Sequence, residues 1–304
     1  MNSTDIYRIE AGDFPLLLGS STHKPEFIYA RGTLPPPTSP ESDASKTPVG
    51  IAMVGTRRPG NNARELCKRL VFSLKGTHAI VISGLAQGID SLCHEAALEA
   101  GIPTIAVLAQ GLGTRIEGSR GDLAKRILDA GGALVSQFEP DVVAYKSNFP
   151  SRNRIIAGLS RATVIVQSKK KGGALLTAEF ARKNSRELFA VPGDFDSEVA
   201  SGANDLLDRG IAKPIFRPES LCTALGLPKS GGISFEELSL AGCNLSDDTK
   251  KFFLKVNGFR KTFSELQSES GLDVNQLLTI LTELEMAGLA YTEDNFSFHF
   301  NGAT

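Results

Sequence analysis

The residue types best suited to chemistry here are cationic and glycyl, and they concentrate between Phe149 and Asp194. Ser151-Arg152-Asn153-Arg154 is followed by an apolar turn and the strand Ala162–Ser168, then by Lys169–Lys171, Gly172-Gly173 and a helix. Guanidinium and ammonium groups donate to phosphate oxygens, and glycine leaves backbone N–H groups open to an anion at a helix start. Two further strand ends join the set: Gly55-Thr56-Arg57 closes one apolar run and Ser83-Gly84 closes the next. Phe149 offers a ring for a stacked base, a contact worth ~1–3 kcal/mol, although the core is the ordinary place for phenylalanine. Taken singly, an arginine on a βα turn or a lysine triplet in a loop is ordinary surface. Their expected meeting at one edge of a parallel sheet makes phosphate binding the better account.

Catalysis finds fewer parts. The chain has no G-x-S-x-G, no cysteine near a histidine and no acid-rich metal cluster. Asp90 and His94 are four apart and share a helix face, yet a first-turn aspartate that stabilises a helix N-terminus is the simpler account. The four histidines (His23, His78, His94, His299) are scattered, so neither a metal nor a cofactor is expected. Gly55-Thr56-Arg57-Arg58-Pro59-Gly60 is not G-x-G-x-x-G, and no acidic residue follows at the offset of about 20 that a ribose contact needs. Glu179 stands as a general acid/base near Arg154, or as a carboxylate that pairs with an arginine and shapes the pocket.

Apolar runs alternate with amphipathic segments from Val49 onward: VGIAMVG, AIVISG, TIAVLA, ALVSQF, ATVIVQS and ELFAVPG. Strands apolar throughout, separated by helices of about 12 residues, imply a parallel sheet covered on both faces. The fold class is therefore α/β, a doubly wound Rossmann-like sheet over residues 49–217, with binding expected at the carboxyl ends of its strands. Residues 1–48 form an N-terminal segment and linker, in which Phe27–Ala30 is a small edge strand and Leu34–Pro48 a Pro/Ser-rich loop. Residues 218–244 are a second linker. Residues 245–304 have helices at Thr249–Val256, Thr262–Ser268 and Asp273–Ala287, then a hairpin over Leu289–Thr292 and Phe296–Phe300, a pattern that matches a small winged-helix-like domain.

With 33 basic and 34 acidic residues the net charge is −1, so nucleic-acid binding must come from local clustering. The acids gather late (Glu236-Glu237, Asp247-Asp248, Glu283, Glu285), while Arg57-Arg58, Arg152, Arg154 and Lys169–Lys171 lie earlier. Four cysteines without C-x-x-C spacing argue against a zinc ribbon or disulfide framework. No run approaches the ~18 apolar residues of a membrane span, and no signal peptide is expected, so the protein is read as cytoplasmic with no membrane partner.

The residues that carry these features resemble the DNA-processing protein A family (DprA, also called Smf). The resemblance rests on VGTR (54–57), SGLAQGID (83–90), FPSRNRIIAGL (149–159), GGALLTAEFA (172–181), VPG (191–193) and SGANDLLDRGIAKP (201–214), and spans about Asp13 to Phe216. It implies an extended Rossmann fold that binds single-stranded DNA without sequence preference, a homodimer, and delivery of the RecA recombinase to incoming strands in natural transformation. No catalytic activity is implied. The family's DNA-contacting positions fall on Arg57, Phe149, Arg152, Asn153, Arg154, Lys171 and Gly173, to which Gly55, Thr56, Ser83 and Gly84 are added here from their strand-end placement and Gly172 from its place before a helix start. Family dimer contacts fall near Asn204–Ile211, where Leu206, Leu207 and Ile211 offer an apolar surface. Members usually carry Tyr-Pro after the third strand, where this chain reads GLGTRIEGSRGD (111–122), and Arg115 and Arg120 are expected to compensate electrostatically. No helical DNA-binding domain is expected ahead of the Rossmann unit.

Two other functions compete. GG-x-LLTAE resembles the PGG-x-GT-x-x-E motif of nucleotide phosphoribohydrolases, in which Glu179 and Arg154 would cleave a nucleotide N-glycosidic bond, but two leucines replace the glycine-threonine pair. A duplex-binding regulator would need basic residues on its recognition helix, and Asp273–Ala287 has none.

Overall fold

The computed structural model describes residues 5–38, 47–227, 245–255, 260–287, 289–293 and 297–300. The chain divides into two units, Met1–Ser230 and Gly231–Thr304. In the first, the expected apolar runs are strands: β3 (Val49–Gly55), β4 (Ala79–Ser83), β5 (Thr104–Val107), β6 (Ala133–Ser136), β7 (Ala162–Gln167) and β8 (Glu187–Ala190). All are buried along almost their whole length, because helices cover both faces of the sheet. Ala52, Val54 and Ile165 pack with Ile155, Ile156, Ala178 and Ala181, which come from helices α4 (Asn148–Leu159) and α5 (Ala174–Lys183). On other elements lie α1 (Ala63–Phe72), α2 (Ile89–Ala100), α3 (Ser119–Asp129) and α6 (Ser201–Asp208).

Among the described residues the sheet has nine strands in the order β1-β2-β6-β5-β4-β3-β7-β8-β9, with β1 at Tyr7–Glu10, β2 at Phe27–Gly32 and β9 at Lys213–Pro214. The ladders from β6 across to β9 are parallel. Strand order runs outward in both directions from the β3–β7 pair, so the crossovers reverse there. This is the topological switch point, where the loops on either side part and leave a crevice at the strands' carboxyl ends. The pairing of β3 and β7 also shifts register between Val54 and Gly55, a bulge at the end of β3.

Residues before Val49 are part of this unit, which differs from the expected separate segment. β2 pairs antiparallel with β6 and is itself covered by β1, so it is one strand in from the edge. Ile28 and Ala30 are fully buried, which gives the segment its reason to dock. The start of the Pro-rich stretch is held as well, by Leu16 N–H donating to Pro36 and Thr38 N–H donating to Leu16. Residues 39–46 lie outside the described residues. At the other end the expected linker begins with α7 (Glu219–Ala224), whose Leu221 and Cys222 are buried. The Ser73 hydroxyl donates to the Pro218 carbonyl at 3.1 Å, tying this helix to the unit. Residues 228–244 lie outside the described residues.

The second unit contains α8 (Asp247–Lys255), β10 (Arg260–Thr262), α9 (Phe263–Ser270), α10 (Val274–Met286), β11 (Ala290–Glu293) and β12 (Ser297–Phe300). Its sheet runs β10-β12-β11, all antiparallel, so the expected hairpin gains a third strand. Phe253, Leu266, Leu277, Leu281, Leu284, Phe298 and Phe300 form its core. Two helix starts are set by capping boxes, Thr262 with Glu265 and Asp273 with Gln276. Each satisfies otherwise orphaned backbone donors from both sides.

Candidate nucleic-acid interface

At the switch point lies a cleft of about 640 Å³. Its first wall is the turn after β3. The bulge turns Thr56 so that its N–H donates to the Gln167 carbonyl at 2.8 Å, and Gly55 sits where a Cβ would stand 2.7 Å from that same oxygen. Only glycine lets the turn lie this close to β7. The start of α2 presses on the turn from behind: Gly88, at φ +90°, would place a Cβ 2.4 Å from the Thr56 carbonyl, and Ile89 N–H donates to that carbonyl. Arg57 therefore projects from a loop that is fixed on two sides.

The second wall is the turn from β7 into α5. Ser168 is buried, and its carbonyl accepts from Gly202 N–H at 2.7 Å. A Cβ on Gly202 would stand 2.4 Å from the Lys169 carbonyl, so α6 seats directly under the lysine turn. Gly172 N–H closes the turn onto the Lys169 carbonyl, and Asn153 Nδ2 donates to the Gly173 carbonyl at 3.2 Å. A side chain on Gly172 would meet Ser168 Oγ at 2.3 Å, whereas a Cβ on Gly173 would meet nothing within 4 Å. The space over Gly173 is open to an incoming anion at the first turn of α5. Lys169 pairs with Glu198 at 2.8 Å, while Lys170 and Lys171 line the cleft exposed and without an ion-pair partner among the described residues.

Between the walls stands Phe149, half-buried, with Arg57 over its ring at 4.6 Å and Arg152 at 5.6 Å. Arg152 is 4% exposed and pairs with buried Asp90 at 3.4 Å. Gly84 makes that pair possible. Its N–H donates to Asp90 Oδ2, and a Cβ there would fall 1.1 Å from Arg152 Nη1. Burial pushes the Arg152 guanidinium below the ordinary arginine range, Asp90 pulls it back up, and Arg57 and Arg120 push it down again. Arg120 reaches the same region from α3 by donating to the Leu85 carbonyl at 2.8 Å. Three guanidiniums thus crowd one buried carboxylate, and the cleft carries an excess of positive charge.

Of the residues singled out in the sequence, Gly55, Thr56, Arg57, Phe149, Arg152, Asn153, Lys171, Gly172 and Gly173 meet in this cleft. Others are placed differently. Ser83 is fully buried and its hydroxyl donates to the Met53 carbonyl at 2.6 Å, so it has no donor left for a ligand. The Gly84 amide is engaged by Asp90, and its role is steric. Arg154 does not line the cleft; its Nη2 donates to Gln137 Oε1 at 3.2 Å. The reason is that Phe149–Leu159 is helical, and two residues along a helix are about 200° apart. Glu179 also stands outside the cleft and pairs with Lys183 at 2.7 Å; hydrogen bonding and charge from Lys183 hold its carboxyl below the usual range. The proposed acid–arginine pair, Glu179 with Arg154, is not assembled. Leu206 belongs to the unit's own core, and Leu207 and Ile211 are partly buried against it; the exposed aromatics nearby in sequence are Phe195 and Phe216. Arg115 is exposed and does not border the cavity that Arg120 lines. Asp90 holds Arg152, a tertiary role that its helix-start position does not reveal.

Residues 5–226 match a family model described as DNA recombination-mediator protein A. The chain belongs to that family. It is 34% identical over 241 residues to Protein Smf of Escherichia coli K12, covering 78% of this chain and 64% of that protein. It is 33% identical over 213 residues to DNA processing protein DprA of Bacillus subtilis, covering 70% of this chain and 68% of that protein. A Synechocystis Protein Smf shares 34% identity, and there the matched region is 52% of the relative's length. This chain thus spans less than two thirds of some family members. The crystal structure of DNA processing protein A from Streptococcus pneumoniae superposes with a TM-score of 0.62 at 28% identity, over 73% of this chain and 74% of that one. DNA processing protein A from Helicobacter pylori, a protein with a single-stranded DNA binding mode, superposes at 0.61 with 27% identity, over 74% of this chain and 98% of that one. The family's shared region therefore covers the large unit, cleft included. No helix among the described residues is long and apolar enough to cross a membrane.

Proposed function

We propose that the switch-point cleft is a track for single-stranded DNA, bound without base readout. The observation that carries this is the convergence of Arg57, Phe149, Lys170, Lys171 and the open backbone at Gly173 on one crevice. Arginine, lysine and glycine amides hold phosphates, the Phe149 ring accepts a stacked base, and none of these distinguishes one base edge from another. Duplex DNA keeps its bases stacked inside, so it gains nothing from Phe149. In this reading the protein serves DNA processing in transformation and recombination, presents the bound strand to the RecA recombinase and works as a homodimer, which raises avidity along one strand. The second unit is a winged-helix-like module, and its α10, without a basic residue, suits protein contact better than duplex binding. Nothing in the geometry favours the N-glycosidase alternative.

The test is a salt titration of binding to oligo-dT and to a duplex of equal length. The expected result is a marked preference for the single strand, with a slope of log affinity against log salt near −0.7 per phosphate neutralised. Equal affinity for the two forms refutes the assignment.

A further inference from the structure

Beside the main cleft is a second, smaller cavity of about 200 Å³, lined by Arg57, Arg120, Arg152, Gln110, Phe149 and Gly84, among others. Arg57, Phe149 and Arg152 line both cavities, so the two adjoin at the Phe149 ring. The charge balance of the small cavity is unusual. Three guanidiniums border it and Asp90, which borders the large cleft, is the one carboxylate that pairs with any of them among the described residues. Arg152 is almost wholly buried, and its Nε has no hydrogen-bond partner. Arg120 is held by a single bond through Nε to the Leu85 carbonyl, which leaves its two terminal nitrogens for another acceptor. Burial, then the neighbouring Arg57, push the Arg120 guanidinium below the ordinary arginine range, and the charge of Asp90 opposes them only in part.

Charge and size together select the ligand. Three cations against one anion leave an excess of two positive charges. A neutral base in this cavity would leave that excess unmatched, and a phosphodiester would supply one negative charge. A phosphomonoester supplies nearly two at neutral pH, because its second pKa is about 6. The volume equals roughly six or seven waters at the liquid's ~30 Å³ each, enough for a phosphate and part of its sugar and too little for a continuing strand. Forked guanidinium donors match phosphate oxygens in pairs.

We propose that this small cavity is an end-recognition pocket that receives the terminal phosphomonoester of a DNA strand lying in the main cleft, with Arg120 as its specific donor. The proposal rests on the single-strand assignment made above and adds a preference for strand ends to it.

The experiment is a competition assay on the full chain with oligo-dT of one length carrying a 5′-hydroxyl, a 5′-phosphate or a 3′-phosphate, against a labelled 5′-hydroxyl strand. One of the two phosphorylated strands should bind about tenfold tighter than the hydroxyl form, the size expected of one added charge-assisted contact. Which one does so assigns the polarity. The advantage should shrink on moving from about pH 8 to about pH 5, where the monoester falls to a single charge. In Arg120→Gln the ratio of affinities should drop below about twofold, the size of a generic added charge at a screened surface. Equal binding of all three strands by the native protein overturns the end pocket while leaving the single-strand assignment standing. Failure of all three to bind overturns both. A full advantage retained in Arg120→Gln puts the phosphate elsewhere and overturns the assignment of this cavity.

Discussion

The large unit's cleft and a groove of the small unit are similar in size and opposite in character. The groove, about 450 Å³, is lined by Phe252, Leu266, Leu272 and Ile280, with Asp248 and Glu269 offsetting Lys251 and Lys255. The cleft, about 640 Å³, gathers Arg57, Arg152 and three lysines against Asp90 and Glu198, and Gly55, Gly172 and Gly173 add bare backbone to its wall. Volume alone would rank the two as comparable sites. Charge excess and the open backbone at Gly173 separate them, since only the cleft can replace the counterions of a phosphate chain. The groove offers apolar contact with balanced charge, the chemistry of a protein surface. The difference also extends inward: the cleft is supported by a buried ion pair and a buried histidine, whereas the groove sits on an apolar core.

That support makes the largest prediction. Arg152→Ala removes one partner of a buried pair, leaving Asp90 charged and enclosed, and should destabilise the large unit by about 3–5 kcal/mol. Urea unfolding with a probe for each unit would show one transition moving and the other staying. A shift below about 1 kcal/mol would mean that Asp90 finds water or another donor. The next effect is on pH. His94 is fully buried, and burial, then the charge of Arg152, lowers its pKa to about 3 from an ordinary 6.5. Thr104 Oγ1 donates to the Val81 carbonyl and so accepts from His94 Nδ1, which fixes the neutral tautomer. The folded state stays neutral where the unfolded state takes up a proton, so stability from this group is complete above pH 6.5 and falls as pH drops toward 3. At about pH 5 the loss is roughly 2 kcal/mol. His94→Gln should flatten the fall between those limits in the large unit, and an unaltered pH profile in that variant would remove His94 as its source.

These supports also mark the limit of what the sequence discloses. The parallel core is legible because strands buried on both sides must be apolar throughout, and VGIAMVG or ATVIVQ says so locally. The glycine and lysine positions of the cleft are legible for the same reason: strand ends, turns and helix starts are neighbours in the chain. Helix α4 is harder, because Pro150, Gly158 and two arginines interrupt an apolar pattern that is nearly all-round. Ser83 looks available until Met53, thirty residues away, takes its hydroxyl. Arg120 looks like surface until it meets Leu85, thirty-five residues away. What decides these roles is contact across the sheet, and no local spacing encodes it. In the small unit the reverse holds, since the boxes at Thr262–Glu265 and Asp273–Gln276 announce their helices within four residues.

Charge reversal tests the contrast at the surface. Arg57→Glu and Lys171→Glu should each weaken oligo-dT binding by about tenfold, equally for different base compositions, and each should reduce the salt slope by about 0.7. Lys251→Glu in the groove, also an exchange of one cation, should change affinity by less than about twofold. Equal losses from all three would mean that net charge, rather than the cleft, governs binding.

The smallest effect sharpens the comparison from the other side. Asp273 accepts from Asn275 and Gln276 N–H, both at 2.9 Å, and Gln276 returns a bond to the Asp273 N–H. Asp273→Ala leaves those donors to solvent and should cost the small unit about 1 kcal/mol, the usual value of an N-cap. Its helix carries Leu277, Ile280, Leu281 and Leu284 into the core, so the loss spreads through that unit. Oligo-dT affinity should not change, because no residue of α10 lines the cleft. The thermal transition of each unit and the affinity, measured on one preparation, check both halves. A lowered affinity at unchanged large-unit stability would bring the small unit into strand binding and break the division of labour drawn here.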